Sequence, residues 1–126
     1  MSQPIVFISR SRLTPGMRSE LVARLGDVLD AMAATRPRTA LMAAYLDETG
    51  TEMSIVHVFP DAAAMTEHFV GSDDRTASVA DVITLIGFEV YGAAPQAAVE
   101  QLRREAANGG FELLIRAEPI GGFIRP

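Results

Sequence analysis

The stretch "TALMAAYLDETGTEMSIVHVFP", Thr39 to Pro60, constrains the fold of this chain most strongly. Two runs of strand-forming residues flank Asp47-Glu48-Thr49-Gly50, a polar turn that carries a glycine. The pattern predicts an antiparallel hairpin, roughly Ala40–Leu46 paired with Met53–Phe59. Successive side chains along a strand point to opposite faces. Met53, Ile55, His57 and Phe59 therefore share one face, and Ser54, Val56 and Val58 the other. An isolated hairpin is marginal in water, so the remaining chain must add strands beside it and helices over it.

The flanking segments meet that need. "PIVFIS" (Pro4–Ser9) is β-branched and aromatic, and it is apolar at consecutive positions, as a central strand would be. Thr14-Pro15 reads as a cap followed by proline at the first helical position. From there Met17, Leu21, Leu25, Val28 and Met32 recur every three or four residues, one apolar face of a helix of about 18 residues. Arg36-Pro37 ends it, because the residue before proline avoids the helical region. After the hairpin, Asp61 can cap a short helix, "AAAMTEHFV", in which His68 borders the stripe of Met65 and Phe69. "GSDD" is a break. Ser72 or Asp73 then caps a further helix with Val79, Val82, Ile83 and Ile86 at helical spacing. Phe88–Tyr91 reads as a fourth strand. Pro95 opens another helix, Asn108-Gly109-Gly110 stops it, and "FELLIRA" is a fifth strand. The tail "EPIGGFIRP" follows.

The order β-α-β-β-α(α)-β, followed by α-β, predicts an α+β ferredoxin-like split βαβ sandwich. Its helices lie on one face of an antiparallel sheet, and a C-terminal helix-strand extension is added. At 126 residues the chain is one domain, 1–126, with no repeat or linker. Hydrophobic residues make up 48% of it and the mean hydropathy is +0.19, a high apolar share for so small a domain. A greasy sheet face left bare by the helices would need a second copy over it, or would line a cavity. A homodimer through the sheet is the expectation.

Charge and residue usage remove other classes. Eleven basic against 16 acidic residues give a net charge of −5, which argues against a general affinity for nucleic acid. Zero cysteine removes disulfides, thiolate catalysis and thiolate metal sites. No apolar run approaches the ~20 residues that cross a bilayer, and no basic-then-apolar leader opens the chain. The expectation is a soluble cytoplasmic protein with no membrane partner. No Ser/His/Asp set has a recognisable spacing, and there is no nucleophile elbow or dinucleotide fingerprint.

A strand ending in an aromatic, a turn, and then "DAAAMTEHFVGS" resembles the antibiotic biosynthesis monooxygenase-like family, in the dimeric α/β-barrel superfamily. Phe59 matches the strand aromatic, often tryptophan there. Ala64 or Met65 matches the small or apolar helix position, and His68 the helix histidine. The element order over residues 4–92 matches too, and residues 95–117 form an addition. His57 stands where the family carries an acid, and tryptophan is absent. Haem-degrading members use an asparagine, a tryptophan and the helix histidine. Only the histidine is present here, which argues against haem. The resemblance implies a cofactor-independent monooxygenase-like protein acting on a small aromatic or quinol-type substrate. The other reading is a non-catalytic dimeric module of the same fold that binds a small ligand or a partner chain.

His68 and His57 are the catalytic candidates. An imidazole with an ordinary pKa of about 6.5 can take a phenolic proton near neutrality. His57 has two readings, a polar group facing a ligand cavity or a satisfied residue of the dimer interface. Tyr45, Phe59 and Tyr91 are the substrate-binding candidates, since a buried tyrosine hydroxyl needs a partner. For the tyrosines, plain core packing is the alternative. A zinc site would need a third ligand beside the two histidines, and no such cluster is spaced in the sequence, so no metal and no cofactor are expected.

Overall fold

The computed structural model describes residues 3–125. Met1, Ser2 and Pro126, the outermost residues of the expected domain, lie outside it. The elements are β1 (Ile5–Leu13), α1 (Arg18–Thr35), β2 (Leu41–Leu46), β3 (Glu52–Phe59), α2 (Ala62–Phe69), α3 (Ser72–Ala77), β4 (Ile83–Tyr91), α4 (Gln96–Gly109) and β5 (Glu112–Arg116). They build one five-stranded sheet in the order β2-β3-β1-β4-β5. The first four strands are antiparallel, and β5 joins β4 in parallel. This is the expected α+β ferredoxin-like arrangement, with α4 and β5 as its extension.

The register assigns the two faces. Phe7 lies opposite His57, Ser9 opposite Ile55 and Ser11 opposite Met53. His57 in turn faces Met42 of β2. These residues share the face on which the helices pack. Two apolar clusters hold it together. One gathers Ile5, Phe7, Phe59, Phe88 and Val90 of the sheet with Met65 of α2 and Leu102 of α4. The other gathers Leu13 and Met53 with Leu21 and Leu25 of α1, and with Val79 and Val82. Val6, Ile8, Val56 and Val58 point the other way by the same register. No helix among the described residues covers them.

β1 runs on past Ser9 to Leu13, and two further local expectations need correction. Helix α1 begins at Arg18, not at Pro15. The Thr14 hydroxyl donates instead to the Asp81 carbonyl, 3.0 Å away, and so ties the end of β1 to the loop before β4. The second concerns residues 72–86. Helix α3 ends at Ala77, and Ile83 and Ile86 belong to β4. The physical reason is a β-bulge. Arg10 pairs with Gly87 but Ser11 pairs with Leu85, so Ile86 is the extra residue. Phe88 and Val90 therefore face the helices on one side of the bulge, and Ile83 and Leu85 on the other. The broken alternation imitates helical spacing.

Helix ends elsewhere obey simple rules. The Asp61 carboxylate accepts from the Ala64 N–H at 2.8 Å and caps α2. Gly110, at φ 69°, closes α4 in the left-handed region. Among the described residues no helix is long and apolar enough to cross a membrane.

Candidate functional site

Where the two apolar clusters part, the helices and the sheet leave a cavity of 130 Å³. For scale, an apolar cavity of ~150 Å³ holds one benzene ring. Phe7, Ile55, Leu85 and Phe88 line it from the sheet, and His68 and Phe69 from α2. Ser72, Arg75 and Thr76 of α3, with Gln101 and Glu105 of α4, form a more polar and less buried rim. His57, Ser9 and Ser11 are the buried polar residues on its sheet side.

His57 is placed by β3 between Phe7 and Met42 on the neighbouring strands. Its ring stacks on Phe7 with centroids 4.9 Å apart. Nδ1 lies 3.0 Å from the Phe7 carbonyl. A carbonyl only accepts, so Nδ1 carries the proton and Nε2 keeps its lone pair. His68 is carried in the last turn of α2, which buries Ala64, Met65 and His68 along one side. Its Nδ1 is 2.7 Å from the Thr39 hydroxyl, which can donate or accept. Asp61 sets up this contact from both sides. It caps α2 and also accepts two hydrogen bonds from Arg38, the residue before Thr39.

The two imidazoles meet edge to face at 5.1 Å, and Phe59 packs against His68 at 5.0 Å. Among the described residues neither Nε2 has a hydrogen-bond partner. Burial lowers His57 from the usual 6.5 to about 4. Burial again, with repulsion from His57, Arg75 and Arg36, takes His68 to about 3. Both rings are therefore neutral at pH 7; His57 can accept a proton or a hydrogen bond at Nε2, and His68 can do so in the tautomer whose Nδ1 donates to Thr39.

Arg75 joins α3 to the histidine helix. It donates to the carbonyls of His68 at 2.5 Å and Val70 at 2.7 Å, groups that the end of α2 leaves free. The Gln101 side chain donates to the Ser72 hydroxyl at 2.6 Å, joining α4 to α3 across the rim. The extension thus walls the cavity. Burial, with repulsion from Asp73, raises the Glu105 carboxyl above its usual value.

Of the residues singled out from the sequence, His57, His68 and Phe59 come together on the helix-covered face. That arrangement removes the interface reading of His57. Phe59 stands behind His68 in the packed core and does not line the cavity. Tyr45 and Tyr91 lie elsewhere. Tyr45 pairs with Ser54 on the uncovered face and is 60% exposed. Tyr91 pairs with Val6 on that same face, and its hydroxyl donates to Glu89 at 2.6 Å. Neither borders the histidine cavity. The sequence reading missed Ser9, Ser11, Arg75, Gln101 and Glu105. A signal existed for the serines, which continue the alternation Ile5, Phe7, Ser9, Ser11, Leu13 along β1. Among the described residues no group of three or more His, Asp or Glu side chains is placed to hold a metal ion.

One-sided helices over a β2-β3-β1-β4 sheet, with an imidazole-lined cavity between, define a ferredoxin-like α+β domain. Its fold is that of the antibiotic biosynthesis monooxygenase-like structures, as the strand-helix motif implied. MupZ from Pseudomonas fluorescens superposes with a TM-score of 0.68 at 16% identity, covering 98% of this chain and 96% of that one. A candidate antibiotic biosynthesis monooxygenase from Chloroflexus aurantiacus gives 0.57 at 20% identity, over 74% of this chain and 93% of its own. A variant of SnoaB, a cofactor-independent oxygenase from Streptomyces nogalater, gives 0.59 at 13% identity, over 70% and 90%. The MupZ superposition takes in nearly the whole chain. No protein-family model and no curated protein matches the sequence.

Proposed function

We propose that this chain is a cofactor-independent monooxygenase-like enzyme acting on a small phenolic or quinol-type aromatic in the histidine cavity. The observation that carries the reading is the pairing of two neutral, buried imidazoles, each with a free Nε2, on one apolar cavity the size of an aromatic ring. The likeness in fold to a cofactor-independent oxygenase supports it.

In this reading the substrate hydroxyl enters towards the imidazoles, and Nε2 of His68 or His57 takes its proton. The phenolate then passes one electron to molecular oxygen. The resulting radical and superoxide combine at the ring carbon para to the oxygen, forming a C–O bond. The imidazolium returns its proton to the peroxide so formed; the proton on that carbon is then removed as the O–O bond breaks, and the departing hydroxide takes it up as water. Phenol and oxygen become quinone and water, with no outside reductant. The imidazoles are weak bases in the empty cavity. They act here because the imidazolium forms beside the substrate anion, whose charge offsets the cost of burying it. Phe7, Phe69 and Phe88 hold the ring and keep water out.

We further propose that the uncovered sheet face, with Val6, Ile8, Val56 and Val58, pairs with a second copy to complete a dimeric α/β barrel.

The test is turnover by metal-free protein supplied with a panel of phenols and quinols under oxygen. The reading expects quinone formation with one oxygen consumed per substrate. It also expects at least a ~100-fold loss in the His57→Phe, His68→Phe double variant, the ordinary scale for a general base. Uptake at the uncatalysed rate across the panel counts against it.

A further inference from the structure

Ser11 is 1% exposed and lines the cavity, and its hydroxyl has no hydrogen-bond partner among the described residues. An unmade hydrogen bond at a buried hydroxyl is destabilising, and most buried polar groups avoid it. Nothing in the neighbourhood relieves the cost. Ser11 faces Met53 on β3 and Leu85 on β4, and neither side chain can serve as a strong partner. The bulge between Arg10 and Ser11 falls at this residue. It swings Leu85 to the helix side and leaves the hydroxyl between apolar neighbours at the cavity wall. Bulges of this kind often re-aim side chains beside functional sites.

Ser9, also buried on the cavity wall, stands between Ser11 and the Phe7–His57 pair. From that pair to Ser11 is four residues along β1, about 13 Å at ~3.3 Å per residue. The wall between carries Ile55 and Phe88. The cavity therefore has a polar end at the imidazoles, a largely apolar middle that includes Ser9, and a second polar end at Ser11.

We infer that Ser11 is a specificity-determining residue. Its hydroxyl bonds an oxygen function at the far end of an elongated single-ring aromatic ligand whose near hydroxyl meets the histidines. The inference rests on the proposed reading of the cavity and narrows the substrate class to aromatics with oxygen groups at both ends. Ser9 supports the same end from one step closer.

The test compares 4-ethylphenol with 4-hydroxybenzyl alcohol, single-ring phenols of matched size of which only the second is a diol, by titration calorimetry on wild type and Ser11→Ala, with thermal unfolding of both proteins alongside. The diol is expected to bind wild type ~3- to 10-fold more tightly than the mono-ol, the effect of one neutral hydrogen bond. Ser11→Ala should erase that preference while leaving 4-ethylphenol binding as it was. It should also unfold at the same temperature as wild type or higher, because it removes an unbonded buried hydroxyl. An unchanged diol preference in Ser11→Ala overturns the role of Ser11 and leaves the cavity reading standing. A clear drop in unfolding temperature overturns it too, because the hydroxyl would then be a structural bond. Binding of neither compound to wild type overturns the cavity reading together with this one.

Discussion

The His57 and His68 rings meet edge to face at 5.1 Å inside an apolar cavity. They come from different elements, a strand and a helix, and each is fixed through Nδ1 by a different partner, the Phe7 carbonyl and the Thr39 hydroxyl. Two titratable groups so close cannot both be charged without mutual repulsion, and burial already disfavours either charge. The pair is held neutral, with both Nε2 atoms free for a guest.

The first prediction concerns stability and pH. In the unfolded chain both histidines titrate near 6.5, whereas in the folded protein they resist protonation down to about 4 and about 3. The unfolded state then binds more protons in the window below 6.5, so this contribution is full above 6.5 and is lost as pH falls. For His57 alone the loss is on the order of 3 kcal/mol by about pH 4. Urea unfolding between pH 7.5 and 4 should show it. His57→Phe should flatten the slope, and an equally steep slope in that variant would count against the assignment.

A second prediction concerns rate. If the free enzyme's base were an ordinary histidine, kcat/KM would fall below pH 6.5. With both rings depressed, the profile should stay level to about pH 5 before any loss from protonation of a histidine. A break near 6.5 in the initial rates would contradict the burial argument.

A third concerns the turn after β4. Gly92 sits at φ 105°, and a Cβ there would come within 2.9 Å of the Pro4 carbonyl oxygen. Gly92→Ala should lose on the order of 1–3 kcal/mol in chemical denaturation, through left-handed strain added to a backbone clash. Gly121→Ala, with open space around it, should unfold like wild type. Equal stability of the two variants would show that the close approach is not a constraint.

A fourth concerns the bare sheet face. Val56 and Ile8 are paired at the middle of that face. Val56→Asp would bury a charge if a second copy covers it, and sedimentation should then report a monomer where wild type sediments as a dimer. Monomeric wild type at micromolar concentration would remove the barrel.

The sequence made the hairpin, the element order and the extension legible because each has a local cause. A glycine turn separates two alternating runs, Asp61 caps α2, and Asn108-Gly109-Gly110 stops α4. The cavity was not local in this sense. His57 could be placed on a face with Met53 and Phe59, but not on the helix side of it, because Val56 and Val58 are as apolar as their neighbours. The true end of β1 was hidden by Ser9 and Ser11, polar residues that look like a strand terminus until their burial is known. The bulge at Ile86 broke the period of β4 and lent residues 79–86 a helical spacing. Tyr45 and Tyr91 have strand positions, as expected, yet register carries them to the face away from the histidines.

The chain has two histidines, so the nitrogen NMR of its imidazoles carries only their signals, and this is the most direct test of the site. The account predicts both rings neutral at pH 6, with His57 protonated at Nδ1. It also predicts that both Nε2 resonances move when 4-ethylphenol is added. Rings that titrate near 6.5, or Nε2 signals indifferent to the ligand, would contradict it.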